Sequence, residues 1–177
     1  MRVVESGAFV VATGVGTTLR ISVLIHAGPA DQYMTDREAF LAGESPEDVH
    51  IFLHEDAVSN VDALVDHGER VGNGIVLVLD GEQARGVFQS ATGIDPMAFA
   101  KEAMGTDGEV HPDCAGGVCP TCGEDDARFV FAFAEAQNEE VGGLYAEGAV
   151  IHAYVSCGCG EAYSEKWVAA DRYSEET

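Results

Sequence analysis

RFVFAFA (Arg128–Ala134) and AVIHAYVSC (Ala149–Cys157) are the stretches whose reading decides the fold. Both are rich in β-branched and aromatic residues and short enough to be strands, and Glu139, Glu140, Gly142, Gly143 and Gly148 lie in the connection between them. Paired as an antiparallel hairpin, the start of the first lies beside the end of the second. Cys119-Pro120-Thr121-Cys122-Gly123 stands just ahead of the first strand, and Cys157-Gly158-Cys159-Gly160 closes the second. Folding the hairpin therefore brings two thiol pairs together. Because side chains alternate along a strand, Ile151, Ala153, Val155 and Cys157 share one face and His152 and Tyr154 the other. That placement argues against His152 as a partner of the thiols.

The CxxC half has the form of a zinc knuckle, a tight turn eased by Gly123 that aims two sulfurs at one point. The CxC half departs from a standard zinc ribbon or rubredoxin, which separates its thiols by two residues. His111-x2-Cys114-x4-Cys119 supplies more donors than a tetrahedral ion needs. The reading adopted is a structural zinc site on Cys119, Cys122, Cys157 and Cys159, with Cys114 the substitute for a member of the CxC pair. The alternative is a set of free or buried thiols, since cysteine also serves as a small core residue. Disulfides fit less well. There is no secretory signal pattern, the cysteine count of five is odd, and a CxxC context suits a reducing cytoplasm.

Charge is the second strong feature. Nine Lys plus Arg stand against 31 Asp plus Glu, a formal net charge of −22, and only Lys101 and Lys166 are lysines. Such a chain repels itself, and molar salt, by shortening the Debye length to about 3 Å, removes most of that repulsion. The simplest setting is a salt-rich cytoplasm, with loosening expected in dilute buffer. A disordered acidic tail fits badly, because 46% of residues are hydrophobic and the acids are dispersed. Nucleic acid is excluded as a partner class by the lack of a basic patch. Membrane spanning is excluded for the N-terminal apolar run, which Arg20 interrupts.

The excess of acid begins at Met34: residues 1–33 hold Arg2 and Arg20 against Glu5 and Asp31. Residues 1–33 read as an upstream extension created by the choice of start between Met1 and Met34. The rival reading is a strand pair, since Ala8–Ala12 and Leu19–His26 are strand-like. Residues 34–177 read as one compact α/β domain, opening on a helix capped by Thr35 or Asp36. Val49–Leu53 is a strand; Ser59-Asn60-Val61-Asp62 has the form of a capping box for a helix to about Val71, with Val61, Leu64, Val65 and Gly68 inward. Ile75–Leu79 is the next strand. The three predict a βαβ unit with parallel strands and a right-handed crossover. Two further helices follow: Glu82 to Ala91, stopped by Gly93, and one capped by Asp95 with Pro96 at its first position. The cysteine loop, the hairpin and a segment containing Trp167 complete the domain.

A resemblance rests on three stretches: Phe88-Gln89-Ser90-Ala91-Thr92-Gly93-Ile94-Asp95-Pro96-Met97-Ala98-Phe99, the run Phe131 to Tyr145 (FAFAEAQNEEVGGLY), and Cys157 to Trp167 (CGCGEAYSEKW). Through them the chain resembles an uncharacterised haloarchaeal family catalogued as a domain of unknown function. The likeness covers most of the chain after Met34. It implies a halophilic archaeal source, a cytoplasmic setting and no assigned catalytic residues.

Enzyme signatures fail on chemical grounds. Gly14-Val15-Gly16-Thr17-Thr18 lacks the lysine of a phosphate-binding loop, and Ser90 lacks the flanking glycines of a nucleophile elbow. Asp80-Gly81 reads as a turn and helix cap rather than a ligand-binding acid. No spacing among the histidines forms a catalytic metal site. Two functions remain: a non-enzymatic module, pinned by zinc and meeting a protein partner on a surface that includes Tyr163 and Trp167, or a zinc-dependent enzyme or CxxC thiol redox protein.

Overall fold

In the computed structural model, residues 35–59 and 61–173 are described. The reading of residues 1–33, the strand-like runs within them and the Met34 start lie outside the described residues, as does Asn60 of the expected capping box. The elements, in order, are α1 (Asp36–Leu41), β1 (Asp48–His54), β2 (Glu69–Val71), β3 (Gly74–Asp80), α2 (Gly81–Thr92), α3 (Pro96–Ala103), β4 (Glu109–Val110), β5 (Gly117–Val118), β6 (Ala127–Glu135), α4 (Leu144–Glu147), β7 (Val150–Cys157), β8 (Ala162–Val168) and α5 (Ala169–Tyr173). Six strands form one antiparallel sheet in the order β2-β3-β1-β6-β7-β8, and β4 pairs with β5 as a separate ribbon. The described residues make one mixed α/β unit.

The hairpin forms as its sequence predicts. Ala132 faces Ala153 and Ala127 faces Cys157, with a register shift between Ala127 and Phe129 that bulges the strand at Arg128. The two faces of β7 divide as alternation requires. Ile151, Ala153, Val155 and Cys157 enter one core with Phe40, Phe52, Val130 and Trp167, while Tyr154 enters the other with Phe88, Phe99, Phe129 and Phe131. α2 and α3 cover the second face. Asp80 caps α2 by accepting from the N–H groups of Glu82 and Gln83, Gly93 ends it in a left-handed conformation, and Asp95 caps α3 through the N–H of Ala98. Thr35 and Glu38 form a reciprocal capping box at α1.

The βαβ expectation is corrected. β1 and β3 are antiparallel neighbours, with Asp48 opposite Asp80 and His54 opposite Gly74. Instead of a helix, the connection contains two 3-10 turns, Val61–Ala63 and Val65–His67, and then β2, which pairs with β3. β1 and β2 therefore run in the same direction with β3 between them. The physical reason lies in the connecting residues. Val, Asp, His and Gly dominate residues 61–68 and are weak helix formers, so the segment does not sustain the long helix a parallel crossover carries. Its inward stripe survives the change: Val61 is buried, and Leu64 and Val65 pack on the same core as α2 and α3. Gly68 passes so close to β3 that a Cβ there would sit 2.4 Å from the Val76 carbonyl oxygen.

Tyr163 and Trp167, expected on an interaction surface, are core residues with 0% and 5% of their surface exposed. Placing them on a docking face is thus corrected: both lie on β8, where alternation turns them toward the core shared with Cys119 and Cys157.

Candidate metal centre

Two turns of the same design meet at one end of the hairpin. In the first, which follows β5 directly, the Cys119 N–H donates to the Glu124 carbonyl at 3.0 Å and the Gly123 N–H returns to the Cys119 carbonyl at 2.9 Å. In the second, the Cys157 N–H donates to the Glu161 carbonyl at 2.9 Å and the Gly160 N–H returns to the Cys157 carbonyl at 3.0 Å. Both glycines take left-handed conformations, φ 74° at Gly123 and 96° at Gly160, which side chains disfavour. The CxC turn is the CxxC turn shortened by one residue. Gly158, between its thiols, donates to the Asp126 carbonyl at 2.8 Å, and a Cβ on it would lie 2.0 Å from the Asp126 carboxylate. A glycine between the thiols thus lets the second turn dock on the lead-in to β6.

The sulfur atoms converge. Cys119 Sγ lies 3.7 Å from Cys159 Sγ, Cys122 Sγ lies 3.6 Å from Cys157 Sγ, and all four are within 4.8 Å of one another. These separations are far beyond the roughly 2.05 Å of a disulfide bond. They suit a tetrahedral ion, since four sulfurs about 2.3 Å from zinc stand about 3.8 Å apart. Cys119 and Cys157 are buried, and Cys122 and Cys159 lie at the surface. The four cysteines are close enough to hold a metal ion, and their spacing is compatible with zinc.

The electrostatics of the cluster point the same way. Burial disfavours the Cys119 thiolate, but backbone N–H groups of Cys122 and Thr121, with the Cys159 and Cys122 thiols, outweigh it and bring Cys119 down to about 7. Burial pushes the Cys157 thiol up to about 12, and the neighbouring sulfurs add to the rise. The Glu124 N–H favours the Cys122 thiolate, yet burial and the Cys159 and Cys119 sulfurs prevail and raise that thiol too. The pocket thus accepts one negative sulfur readily and opposes a second unless a cation arrives. A divalent ion removes that opposition and releases the protons.

A family model matches residues 68–170, described as a family of unknown function, DUF5807. The chain belongs to that family. The match takes in α2, α3, all five cysteines and the strands β6 to β8. Neither the curated proteins nor the solved structures contain a match to the chain.

Around the DUF5807 cluster the other sequence candidates take different places. Cys114 is fully buried, sits in a left-handed conformation at φ 56° and donates its N–H to the His111 carbonyl; it is not part of the four-sulfur group. His111 Nε2 is 2.8 Å from Asp125 Oδ2. His152 lies on the face away from the sulfurs, 3.2 Å from Tyr145 Oη and 3.3 Å from Glu135 Oε2. His50 is fully buried beside Phe40, and neither ring nitrogen has a hydrogen-bond partner among the described residues. Asp80 does cap α2. Sequence reasoning missed the part played by Gly160 and Gly158. The signal was present, because each thiol pair is followed at once by a glycine, Cys122-Gly123 and Cys159-Gly160.

Proposed function

We propose that this chain is a non-enzymatic binding module of a salt-rich, haloarchaeal cytoplasm, its cysteine end pinned by a structural zinc ion on Cys119, Cys122, Cys157 and Cys159. One observation carries the reading: four sulfurs from two matched turns lie within 4.8 Å of one another. When bound, zinc would neutralise the thiolates and cross-link the turns. A complete sulfur set leaves no open position for water or substrate, which separates structural from catalytic zinc. The chain's own part is to aim the sulfurs, through the left-handed glycines and the N–H groups of Thr121, Cys122, Glu124 and Cys159. Recognition then falls to a protein or small-molecule partner met elsewhere on the surface. The net charge of −22 supports the salt-rich setting.

A second reading has its own observation. Cys122 is exposed and Cys119 is brought down to about 7, as in a reactive thiol pair, so a CxxC redox protein or a three-sulfur zinc enzyme is the alternative. Elemental analysis with X-ray absorption, on protein purified in high salt, separates the two. Zinc with four sulfurs supports the module, three sulfurs and a light atom support catalysis, and a metal-free pair that cycles on thiol titration supports redox chemistry. Circular dichroism across a KCl series tests the setting: an unchanged spectrum from dilute buffer to molar salt would refute it.

A further inference from the structure

We propose that the sheet face opposite the sulfurs carries a binding site for a small anion with an apolar body, seated between α3 and the strands β6 and β7. A cavity of about 800 Å³ opens there, within the range of about 300–1,000 Å³ usual for small-molecule sites. Phe131, Phe133 and Tyr154 line it from the sheet, with Met97 of α3 and Met104 at the C-terminal cap of that helix. The two methionines are 56% and 58% exposed, large apolar side chains left in solvent beside a ready-made concavity. Methionine suits such a wall because its unbranched thioether adapts to the shape of a ligand.

Charge decides what the ligand carries. The described residues include seven Lys and Arg. Arg37, Arg70, Arg128 and Arg172 each hold at least one carboxylate. Among the described residues Arg85, Lys101 and Lys166 form no ion pair within 4.0 Å, in a chain with 31 acids to choose from. Two of them reach the cavity and the third stands beside it. Arg85 and Lys101 line the cavity, and Lys166 lines an adjoining one of about 410 Å³ that shares Met104, His152 and Tyr154 with it. Lys166 Nζ stands 5.8 Å from the centre of the Tyr145 ring. The acids nearby do not cancel them all. Glu135 is engaged with His152, Glu165 holds Arg172, and Asp107 stands at the Lys166 end. Arg85 and Lys101, neither in an ion pair, outnumber the one carboxylate of the lining, Glu135, and with Lys166 close by they favour a carboxylate, sulfonate or phosphate on an apolar body.

This site does not rest on the metal: its lining belongs to the core of α2 and α3, whereas Cys119 and Cys157 belong to the core across the sheet. The test is a fluorescence titration of the full chain in molar KCl with two probes that differ in charge, 8-anilinonaphthalene-1-sulfonate and the neutral N-phenyl-1-naphthylamine. The sulfonate is expected to fill one saturable site per chain and to bind about tenfold tighter than the neutral probe, a difference of about 1.4 kcal/mol. Lys101→Gln and Lys166→Gln should each weaken the sulfonate severalfold and leave the neutral probe unchanged. Met97→Glu, at an exposed position that leaves the core intact, should weaken the sulfonate more than either. Equal affinity for the two probes, no saturable site, or insensitivity to all three substitutions would overturn the proposal. The sulfur count by X-ray absorption answers separately for the metal, so failure of one leaves the other standing.

Discussion

The two faces of the sheet are covered by different means. One lies under α2 and α3, each entered through an aspartate cap, and beneath them Phe88, Phe99, Phe129 and Phe131 meet at centroid distances of 5.1–5.8 Å, three of the contacts edge-on. Regular helices satisfy their own backbone, and the aromatic cluster supplies burial and geometry at once. The other lies under a helix of six residues, two strands of two residues and the loops that carry the cysteines. There the backbone is held at points: the Val110 N–H donates to Glu165 at 2.7 Å, Arg172 donates to the Val110 carbonyl at 3.1 Å and also pairs with Glu165, and two turns end in converging sulfurs. Irregular cover cannot satisfy its own backbone as a helix does, so it depends on a few ties that single changes can cut.

That contrast can be broken experimentally, most sharply at the sulfurs. Removing the proposed zinc with a chelator in high salt should cost on the order of 10 kcal/mol of binding free energy, as it does in small zinc domains. Hydrogen exchange should rise first in residues 105–126 and 157–161, and equal loss of protection in α2 and α3 would show that the faces are not independent. On the helical face, Phe88→Ala should lower stability by about 3–5 kcal/mol in urea titration, since Phe88 is fully buried and touches three other rings.

His50 sharpens the comparison from the cysteine side. Burial first, and then Arg37, hold its pKa down to about 3 from an ordinary 6.5. Between those values the unfolded chain binds the proton and the folded one does not. The contribution is therefore complete above pH 6.5 and falls by about 1.4 kcal/mol per pH unit as pH drops toward 3. His50→Leu should remove that slope, read as the difference between the two proteins' urea midpoints across the pH range. The smallest effect belongs to a helix cap. Asp80→Ala should cost about 1 kcal/mol by the same titration, because two N–H groups of α2 lose their acceptor.

The hairpin was legible because its signal is local and periodic: alternation sorted Ile151, Ala153, Val155 and Cys157 from Tyr154, and the structure divides them between cores in that way. The caps at Asp80 and Asp95 were legible because a side chain and an N–H two or three residues away settle them. The grouping of the four thiols followed from the hairpin, with Ala127 opposite Cys157. The direction of β3 relative to β1 was not legible. The stripe Val61, Leu64, Val65 suits a helix by spacing, and the same residues face inward from two 3-10 turns.

By itself, then, the sequence determined how the side chains of β7 divide between its two faces, where two helices begin and which sulfurs share an end, all properties set within a few residues of the chain. Only the tertiary structure decided that β1 and β3 run antiparallel, that Tyr163 and Trp167 are core, and that Arg85 and Lys101 line one cavity with Lys166 at the next. Those depend on how distant segments stack, and residue spacing along the chain carries no record of distance through space.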